Sequence, residues 1–430
     1  MIVISKPCKL SGELSVPGSK SHTIRAVLTA AMTEGTSVIR NPLTSDDAKS
    51  ALKAAADFGA EVLEEDGVWK VTGGPGRLHT PDNYIDAGNS GTTTYFVMGV
   101  ASVLDGYTFI TGDEQIRRRP AIEMAEQINA LGGEAVLFHP ETKSPPLYIR
   151  GPRHGGKCRF EGKNSQYVSG ILLSAPLVDG DTEVFIDRPF EKPYLQLTLD
   201  WMKRFGVDCE NEGGRYDHFL VKGNQSYKAC DATVPADWSG VAFPLMAGLV
   251  TGSEIVISGV DFEDSQGDKA VVDYMLGMGA DLTKDQAGRR LFVRGGKKLV
   301  SGVTINLQDT PDALPALSVA AAFAEGDTTF TGLAHVRVKE TDRVAVMQEE
   351  LSKMGADIEI GPDYMVVHGG KPLHGATVES HGDHRIAMAM TVAGMMAKGE
   401  TVVRGAECAS VSFPGFYEKM LGIGADLEIR

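Results

Sequence analysis

Short polar segments precede six apolar, alanine-rich stretches of the sequence, and several of these segments carry cations. Residues 18–21 (GSKS) precede the first stretch, with Arg25 one turn later, and residues 382–385 (GDHR) precede the last. Ser, Asn and Asp are ordinary helix N-caps, but Lys20, Arg25 and Arg385 are unfavourable beside the positive end of a helix unless an anion joins them. Free N–H groups with Lys or Arg form phosphate or carboxylate sites. The pattern therefore predicts binding of small anions.

The other four stretches have similar starts, and two loops add further charge. The starts are residues 88–92 (GNSGT), 164–166 (NSQ), 237–239 (DWS) and 311–312 (PD), and the loops are 117–120 (RRRP) and 337–343 (RVKETDR). For Asp237 we expect helix capping or a contact between lobes of the fold, and Arg117 and Arg118 are typical of a solvated face. Glu340, between Lys339 and Arg343, suggests a general acid or base beside bound anions.

Motifs for several other chemistries are absent. Residues 18–21 do not complete a phosphate-binding P-loop, and there is no G-x-S-x-G nucleophile motif. His381 and His384 lie three residues apart without further ligands, so no metal site is expected. We expect no cofactor.

An internal repeat must position these polar starts. Two glycine motifs recur six times each, at intervals of 69–76 and 71–74 residues. They are Gly59, Gly132, Gly206, Gly279, Gly355 and Gly424, and Gly35, Gly106, Gly180, Gly252, Gly326 and Gly399. The first set is typical of helix C-caps that turn into strands. Six units are therefore predicted, each running strand, apolar helix, strand, strand, amphipathic helix, strand (βαββαβ).

The apolar helices determine the predicted fold. Residues 313–324 and 386–397 are apolar on nearly all faces, which is typical of buried helices, and their small residues allow close approach. We therefore predict an α/β fold with helices inside and sheets outside, in two similar lobes of three repeats.

Composition excludes several classes of protein. The formal net charge of −15 argues against a nucleic-acid or anionic-membrane footprint, and the 42% hydrophobic content excludes a disordered chain. The five cysteines are scattered, and no segment has the form of a signal peptide or a membrane span. We expect a cytoplasmic protein that has no nucleic-acid or membrane partners. We also expect neither a disulfide framework nor a structural zinc site.

The motifs taken together resemble the 5-enolpyruvylshikimate-3-phosphate synthase family over the full chain. They are PGSKS (17–21), GNSGTT (88–93), RP (119–120), SQ (165–166), KPY (192–194), PD (311–312), KETDR (339–343), DHR (383–385) and SFP (412–414). The resemblance implies an inside-out α/β barrel in each lobe, with pseudo-threefold symmetry. It places the shikimate 3-phosphate lobe at 19–234 and the phosphoenolpyruvate and catalytic lobe at 1–18 plus 235–430. Hinge crossings are expected near 18 and 235, and the lobes are expected to close over the substrates.

The resemblance also implies the reaction and the residues that carry it. The reaction transfers the enolpyruvyl group of phosphoenolpyruvate to the 5-hydroxyl of shikimate 3-phosphate and releases phosphate, as a step of chorismate and aromatic amino-acid biosynthesis. The residues implied for shikimate 3-phosphate are Ser21, Arg25, Asn164, Ser165, Gln166, Tyr194 and Lys339. Those implied for phosphoenolpyruvate are Lys20, Gly91, Arg119, Arg343 and Arg385. Asp312 is implied as the base and Glu340, assisted by Lys20, as the proton donor.

Four positions depart from the common family pattern. Tyr95 and Val411 stand where many members have an arginine and a lysine, while Glu191 and His335 replace a frequent serine and asparagine. His335 is still expected among the substrate-binding residues. We interpret the departures as a lineage variant; an altered substrate preference is the alternative.

Two other functions stay open from the sequence. A related transferase would use another acceptor, such as UDP-N-acetylglucosamine, but the loop 112–120 lacks the reactive cysteine usual in that enzyme. A non-catalytic anion-binding protein would have no use for Lys20, Asp312, Glu340 and Arg385 together. We expect a monomer.

Overall fold

Twelve helices and 24 strands make up the protein in a computed structural model that describes residues 1–430. The helices are α1 Lys20–Ala31, α2 Asp46–Asp57, α3 Gly91–Ala101, α4 Ile122–Ala130, α5 Ser165–Ser174, α6 Lys192–Arg204, α7 Trp238–Val250, α8 Ala270–Gly277, α9 Leu314–Phe323, α10 Arg343–Lys353, α11 His384–Gly394 and α12 Phe416–Gly422.

The strands form six four-stranded sheets, each combining parallel and antiparallel pairs. The strands are β1 Ile2–Lys6, β2 Ser11–Ser15, β3 Gly35–Arg40, β4 Glu61–Glu65, β5 Val68–Gly73, β6 Ile85–Asp86, β7 Gly106–Thr111, β8 Glu134–His139, β9 Ser144–Gly151, β10 Gly156–Phe160, β11 Thr182–Ile186, β12 Glu210–Asn211, β13 His218–Val221, β14 Asp231–Thr233, β15 Glu254–Ser258, β16 Asp281–Asp285, β17 Arg290–Arg294, β18 Thr304–Asn306, β19 Asp327–Thr331, β20 Asp357–Ile360, β21 Tyr364–His368, β22 Thr377–Glu379, β23 Thr401–Arg404 and β24 Asp426–Ile429.

The chain divides into two compact units. The first comprises Met1–Pro17 with Pro235–Arg430, and the second comprises Gly18–Val234. The N-terminal strands belong to the first unit because β1 pairs with β23 and β24, and β2 pairs with β15. Each unit contains three of the six sheets.

The predicted strand order within the repeat is wrong in one respect. Repeats run strand, buried helix, strand, amphipathic helix, strand, strand, as in β6–α3–β7–α4–β8–β9. A single strand separates the two helices because the chain passes from β3 through the short loop 41–45 (NPLTS) directly into α2. The hairpin follows α2 instead, where Asp66-Gly67 joins β4 to β5 and Gly67 has φ 69°. Asp-Gly is a favoured pair for such tight turns.

The twelve repeat glycines all have positive φ, between 63° and 118°. This confirms the prediction that glycine ends the amphipathic helices. Gly59 follows α2 at φ 102°, and a Cβ there would lie 2.2 Å from the Arg77 carbonyl oxygen. Both the backbone conformation and the close approach therefore require glycine.

The apolar helices are buried on every face, as predicted. Every residue of α3, α7 and α11 is buried, whereas the strands alternate between buried and more exposed positions. In the second unit α3 packs on α5, and a Cβ at Gly99 would lie 2.1 Å from the Gly170 carbonyl oxygen. In the first unit α7, α9 and α11 contact one another pairwise. Small residues thus bring the helix starts, with their polar side chains, close together within each unit.

None of the twelve helices has the length and apolar character that crossing a membrane requires.

Candidate active site

Lys20 begins helix α1 and forms an ion pair with the first turn of α2. Its Nζ lies 2.9 Å from Asp47 Oδ2, and the side chains are 14% and 3% exposed. An acidic side chain in the first turn of a helix is stabilised by the helix dipole. Asp47 therefore holds the Lys20 ammonium beside the start of α1. Sequence reasoning missed Asp47, because nothing in the spacing connects it to Lys20.

Arg25 is buried one turn further along α1 and contacts other predicted site residues. Its Nη1 donates to the Ser21 carbonyl at 3.1 Å, Nη2 donates to the Tyr194 carbonyl at 3.0 Å, and Nε donates to Thr198 Oγ1 at 3.0 Å. Burial lowers the pKa of Arg25 to about 9, while Tyr194 and Glu191 oppose that shift. The guanidinium is therefore a fixed cation at neutral pH, packed over the Phe96 ring.

The start of α5 brings together Asn164, Ser165 and Gln166. Asn164 caps the helix by accepting from the Gln166 N–H at 3.0 Å. Gln166 Nε2 donates to Thr92 Oγ1 at 2.7 Å, which links the start of α5 to the start of α3. Ser165 donates to Glu191, one of the four departures from the family pattern: Oγ and the backbone N lie 2.7 Å and 3.2 Å from its Oε2.

Arg119 lies against the first residue of α3. A Cβ at Gly91 would lie 2.6 Å from Arg119 Nη1, so the glycine permits this close approach. Two buried phenols fix the next residue, because Tyr95 and Tyr167 both donate to the Pro120 carbonyl oxygen, at 2.9 and 2.6 Å. Tyr95 thus replaces an arginine with a residue that anchors the loop carrying Arg119. Sequence reasoning did not identify Tyr167.

Arg343 gathers three carboxylates in the other unit. Its Nε lies 2.7 Å from Asp383 Oδ2, Nη1 lies 2.6 Å from Asp312 Oδ1, and Nη2 lies 2.6 Å from Glu340 Oε2. The Arg343 side chain is 1% exposed and Asp383 is fully buried. One guanidinium therefore joins the starts of α9, α10 and α11.

Arg385 is the second cation of this network. Its Nη2 lies 2.8 Å from Asp312 Oδ2 and 3.0 Å from Ser239 Oγ. Asp383 caps α11 through the Arg385 N–H at 2.9 Å, and Asp237 caps α7 in the same way. The capping interpretation of Asp237 is confirmed, whereas Asp383 combines capping with its ion pair to Arg343.

The charges in this network oppose and outweigh the effect of burial. Burial alone would raise the pKa of Asp312, but attraction to Arg385, Arg343 and Lys339 holds that pKa well below its usual range. Burial would lower the pKa of Arg343, but Asp383, Glu340 and Asp312 raise it far above its usual range. Asp312 is therefore a carboxylate, able to accept a proton, at physiological pH.

His335 and Lys339 complete the predicted set. His335 is buried in the 3-10 turn Ala334–Val338, and Lys339 directly follows that turn. Val411, the remaining departure from the family pattern, ends the 3-10 segment Ala406–Val411 before Ser412.

One group of side chains has the composition of a metal site. Candidate ligand atoms of Glu349, Glu350 and His381 lie within 4.8 Å of one another. Lys353 Nζ already lies 2.8 Å from Glu350 Oε1 and 3.0 Å from Glu349 Oε1. An ammonium therefore supplies the positive charge there, and His381 contacts Glu350 at 2.7 Å.

Comparison with known proteins gives consistent results. The family model described as EPSP synthase (3-phosphoshikimate 1-carboxyvinyltransferase) matches residues 4–420. The 3-phosphoshikimate 1-carboxyvinyltransferase of Ruminiclostridium cellulolyticum is 41% identical over 420 residues, covering 98% of each chain, and that of Methanococcus maripaludis strain C5 is 37% identical over the full length of both.

Solved structures show the same fold. An EPSP synthase structure from Acinetobacter baumannii superposes with a TM-score of 0.84 at 30% identity and covers 99% of both chains. The enolpyruvyl transferase NikO from Streptomyces tendae has a TM-score of 0.80 at 17% identity, over 99% of this chain and 98% of its own, a likeness in fold alone.

Proposed function

The chain belongs to the EPSP synthase (3-phosphoshikimate 1-carboxyvinyltransferase) family, and from this premise we propose which of its residues carry out the family reaction. The enzyme transfers the enolpyruvyl group of phosphoenolpyruvate to the 5-hydroxyl of shikimate 3-phosphate and releases phosphate, in aromatic amino-acid biosynthesis. The observation that supports the assignment of roles best is the network in which Arg343 holds Asp312 and Glu340 together.

The proposed residues for shikimate 3-phosphate lie at starts of buried helices and beside Arg25. They are Ser21, Arg25, Asn164, Ser165, Gln166 and Tyr194, with Lys339 and His335 completing the set. Helix N–H groups, hydroxyls and a buried guanidinium suit an acceptor that carries a phosphate and a carboxylate. The contacts of Arg25 to the Ser21 and Tyr194 carbonyls support this grouping.

The proposed residues for phosphoenolpyruvate are cations and one glycine: Lys20, Gly91, Arg119, Arg343 and Arg385. Lys20, Arg343 and Arg385 each form an ion pair with a carboxylate of the protein. These pairs keep the cations charged and in place until the anionic groups of a substrate reach them.

Two carboxylates supply the proposed proton transfers. Asp312 accepts the proton of the 5-hydroxyl as that oxygen bonds to carbon 2 of phosphoenolpyruvate. Glu340, which is a carboxylate in its pair with Arg343, first takes up a proton with the assistance of Lys20 and then gives it to the methylene carbon. Glu340, now a carboxylate, then takes a proton from the new methyl group of the tetrahedral adduct, and the adduct expels phosphate with the electron pair of its C–O bond. When substrate anions bind Arg343 and Arg385, the attraction of these two arginines for Asp312 weakens. The basicity of Asp312 then rises toward that of an ordinary carboxylate.

Removing both phenols at Pro120 tests the position of Arg119. We expect Tyr95→Phe/Tyr167→Phe to raise the KM for phosphoenolpyruvate by up to about thirtyfold, because each lost hydrogen bond costs about 1 kcal/mol, two are lost, and about 1.4 kcal/mol is a factor of ten. The KM for shikimate 3-phosphate should change less. Tyr148→Phe is the matched control, since that phenol donates to Glu134 instead. Equal KM values for phosphoenolpyruvate in the double variant and the control would contradict the role of the phenols.

Phosphate release tests the proposed function. Purified protein is mixed with phosphoenolpyruvate alone, with shikimate 3-phosphate, or with UDP-N-acetylglucosamine, and free phosphate is measured continuously. Release should require shikimate 3-phosphate. Stimulation by UDP-N-acetylglucosamine alone would indicate the other transferase, and no stimulation by either would favour a non-catalytic protein.

Three finer features also belong to the proposal. Each unit is proposed to be an inside-out α/β barrel of three repeats, which is supported by its buried helices and three sheets. We propose a monomer in the cytoplasm, and the five free cysteines agree with a reducing compartment.

A further inference from the structure

Glu191 is a buried carboxylate that the reaction described above does not use. Its backbone adopts the left-handed conformation, with φ 54° and ψ 38°, and the residue is 2% exposed. A residue with a side chain adopts this conformation only where its surroundings hold it there. This strained residue is the N-cap of α6, and its carboxylate accepts hydrogen bonds from Ser165.

The Ser165 donors form an anion site. Ser165 is the first residue of α5, so its N–H has no acceptor within the helix and points along the positive end of the helix dipole. Its hydroxyl is a second donor beside it. Buried Arg25 supplies a cation whose charge interacts with that of Glu191. The carboxylate of the protein therefore occupies a site suited to an anion of a ligand.

Resting on the proposed function, in which Ser165 and Arg25 bind the acceptor, we propose that Glu191 is a specificity-determining residue whose carboxylate competes with an anionic group of the acceptor for the Ser165 donors. The acceptor binds fully only when Glu191 leaves Ser165. Its apparent dissociation constant is then the intrinsic constant divided by the fraction of molecules in which Glu191 has moved away. Repulsion between like charges adds to this competition.

This competition has an unusual consequence for substitution. Replacing a residue that contacts a substrate normally weakens binding, whereas replacing Glu191 should strengthen it. Glu191→Gln removes the charge but keeps a side-chain oxygen that accepts from Ser165. Glu191→Ser removes the charge and leaves a side chain too short to contact Ser165. Both variants should bind shikimate 3-phosphate more tightly, by about tenfold or more for Glu191→Ser.

Titration calorimetry of the intact protein with shikimate 3-phosphate measures this directly. The same titration with unphosphorylated shikimate identifies the competing group. A gain in affinity for shikimate 3-phosphate alone identifies the phosphate of the ligand, and an equal gain in affinity for both ligands identifies the carboxylate of the ligand. Glu161→Ser is the matched control, because Glu161 is an exposed carboxylate four residues before Ser165 and pairs with Lys163. Its affinity for shikimate 3-phosphate should match that of the wild type.

The outcomes separate this inference from the proposed function. Tighter binding in either Glu191 variant, with a wild-type KM for phosphoenolpyruvate, supports competition. Unchanged or weaker binding in both variants, with an active wild type, overturns it and makes Glu191 a structural or acceptor-contacting residue. A wild type that shikimate 3-phosphate neither binds nor stimulates overturns the proposed function itself.

Discussion

Asp312→Asn is expected to lower kcat for phosphate release by about two to four orders of magnitude, the usual contribution of general acid–base catalysis. The amide keeps the shape of the carboxyl group but cannot accept the proton of the 5-hydroxyl. Attraction to Arg385 and Arg343 holds the pKa of Asp312 well below its usual range, so the wild-type side chain is ionised at neutral pH. It can therefore accept the proton of the 5-hydroxyl. Binding of phosphoenolpyruvate should be largely preserved, because its proposed cations remain.

The control must separate catalysis from the loss of an ion pair. Asp285→Asn removes a carboxylate that contacts Arg290 at 2.9 Å on a sheet outside the proposed site. Its kcat should equal that of the wild type. A value of kcat for Asp312→Asn within threefold of wild type would remove the proposed base from the mechanism.

Arg343→Met has the largest expected effect on stability. It leaves Asp312, Glu340 and Asp383 without the cation that joins them, and breaking a buried ion pair on one side costs about 3–5 kcal/mol. Urea denaturation of the wild type and of Arg343→Met should show this loss in the free energy of unfolding. Activity should also disappear, because one proposed phosphoenolpyruvate cation is gone and Glu340 is no longer held.

A second substitution identifies the source of that loss. If uncompensated charge causes it, adding Asp383→Asn to Arg343→Met should cost less than the sum of the two single losses, because both remove the same ion pair. Additive losses, or an Arg343→Met protein as stable as the wild type, would contradict the network as the source of stability. Arg404→Met, which breaks an exposed pair with Glu379, should cost no more than about 1 kcal/mol.

The repeat and its capping glycines were predictable because both depend on local chemistry. A glycine such as Gly59 must follow the amphipathic helix wherever the chain turns left-handed. The burial of apolar helices such as α11 can be predicted from their composition. The strand order was not predictable from the period alone. The order depends on the position of a tight turn, Asp66-Gly67, and the period of the repeat does not locate that turn.

The candidate site was predictable in its cations but not in their partners. Lys20, Arg25 and Arg385 stand out because cations at helix starts oppose the dipole. Asp47 and Asp312, which pair with Lys20 and Arg385, lie 27 and 73 residues away in sequence, and only the packing of helix starts brings these pairs together. The contact between Glu191 and Ser165 likewise depends on a left-handed residue that no pattern of side chains specifies.

Product analysis in deuterated water tests the central claim most directly. The protein is mixed with phosphoenolpyruvate and shikimate 3-phosphate, and the product is examined by mass spectrometry and NMR. Protonation of the methylene by Glu340 followed by elimination predicts shikimate 3-phosphate bearing an enolpyruvyl ether at the 5-position, with deuterium at its methylene carbon and one phosphate released per product. Phosphate release that yields pyruvate without the enol ether, or an enol ether on another acceptor only, would contradict it.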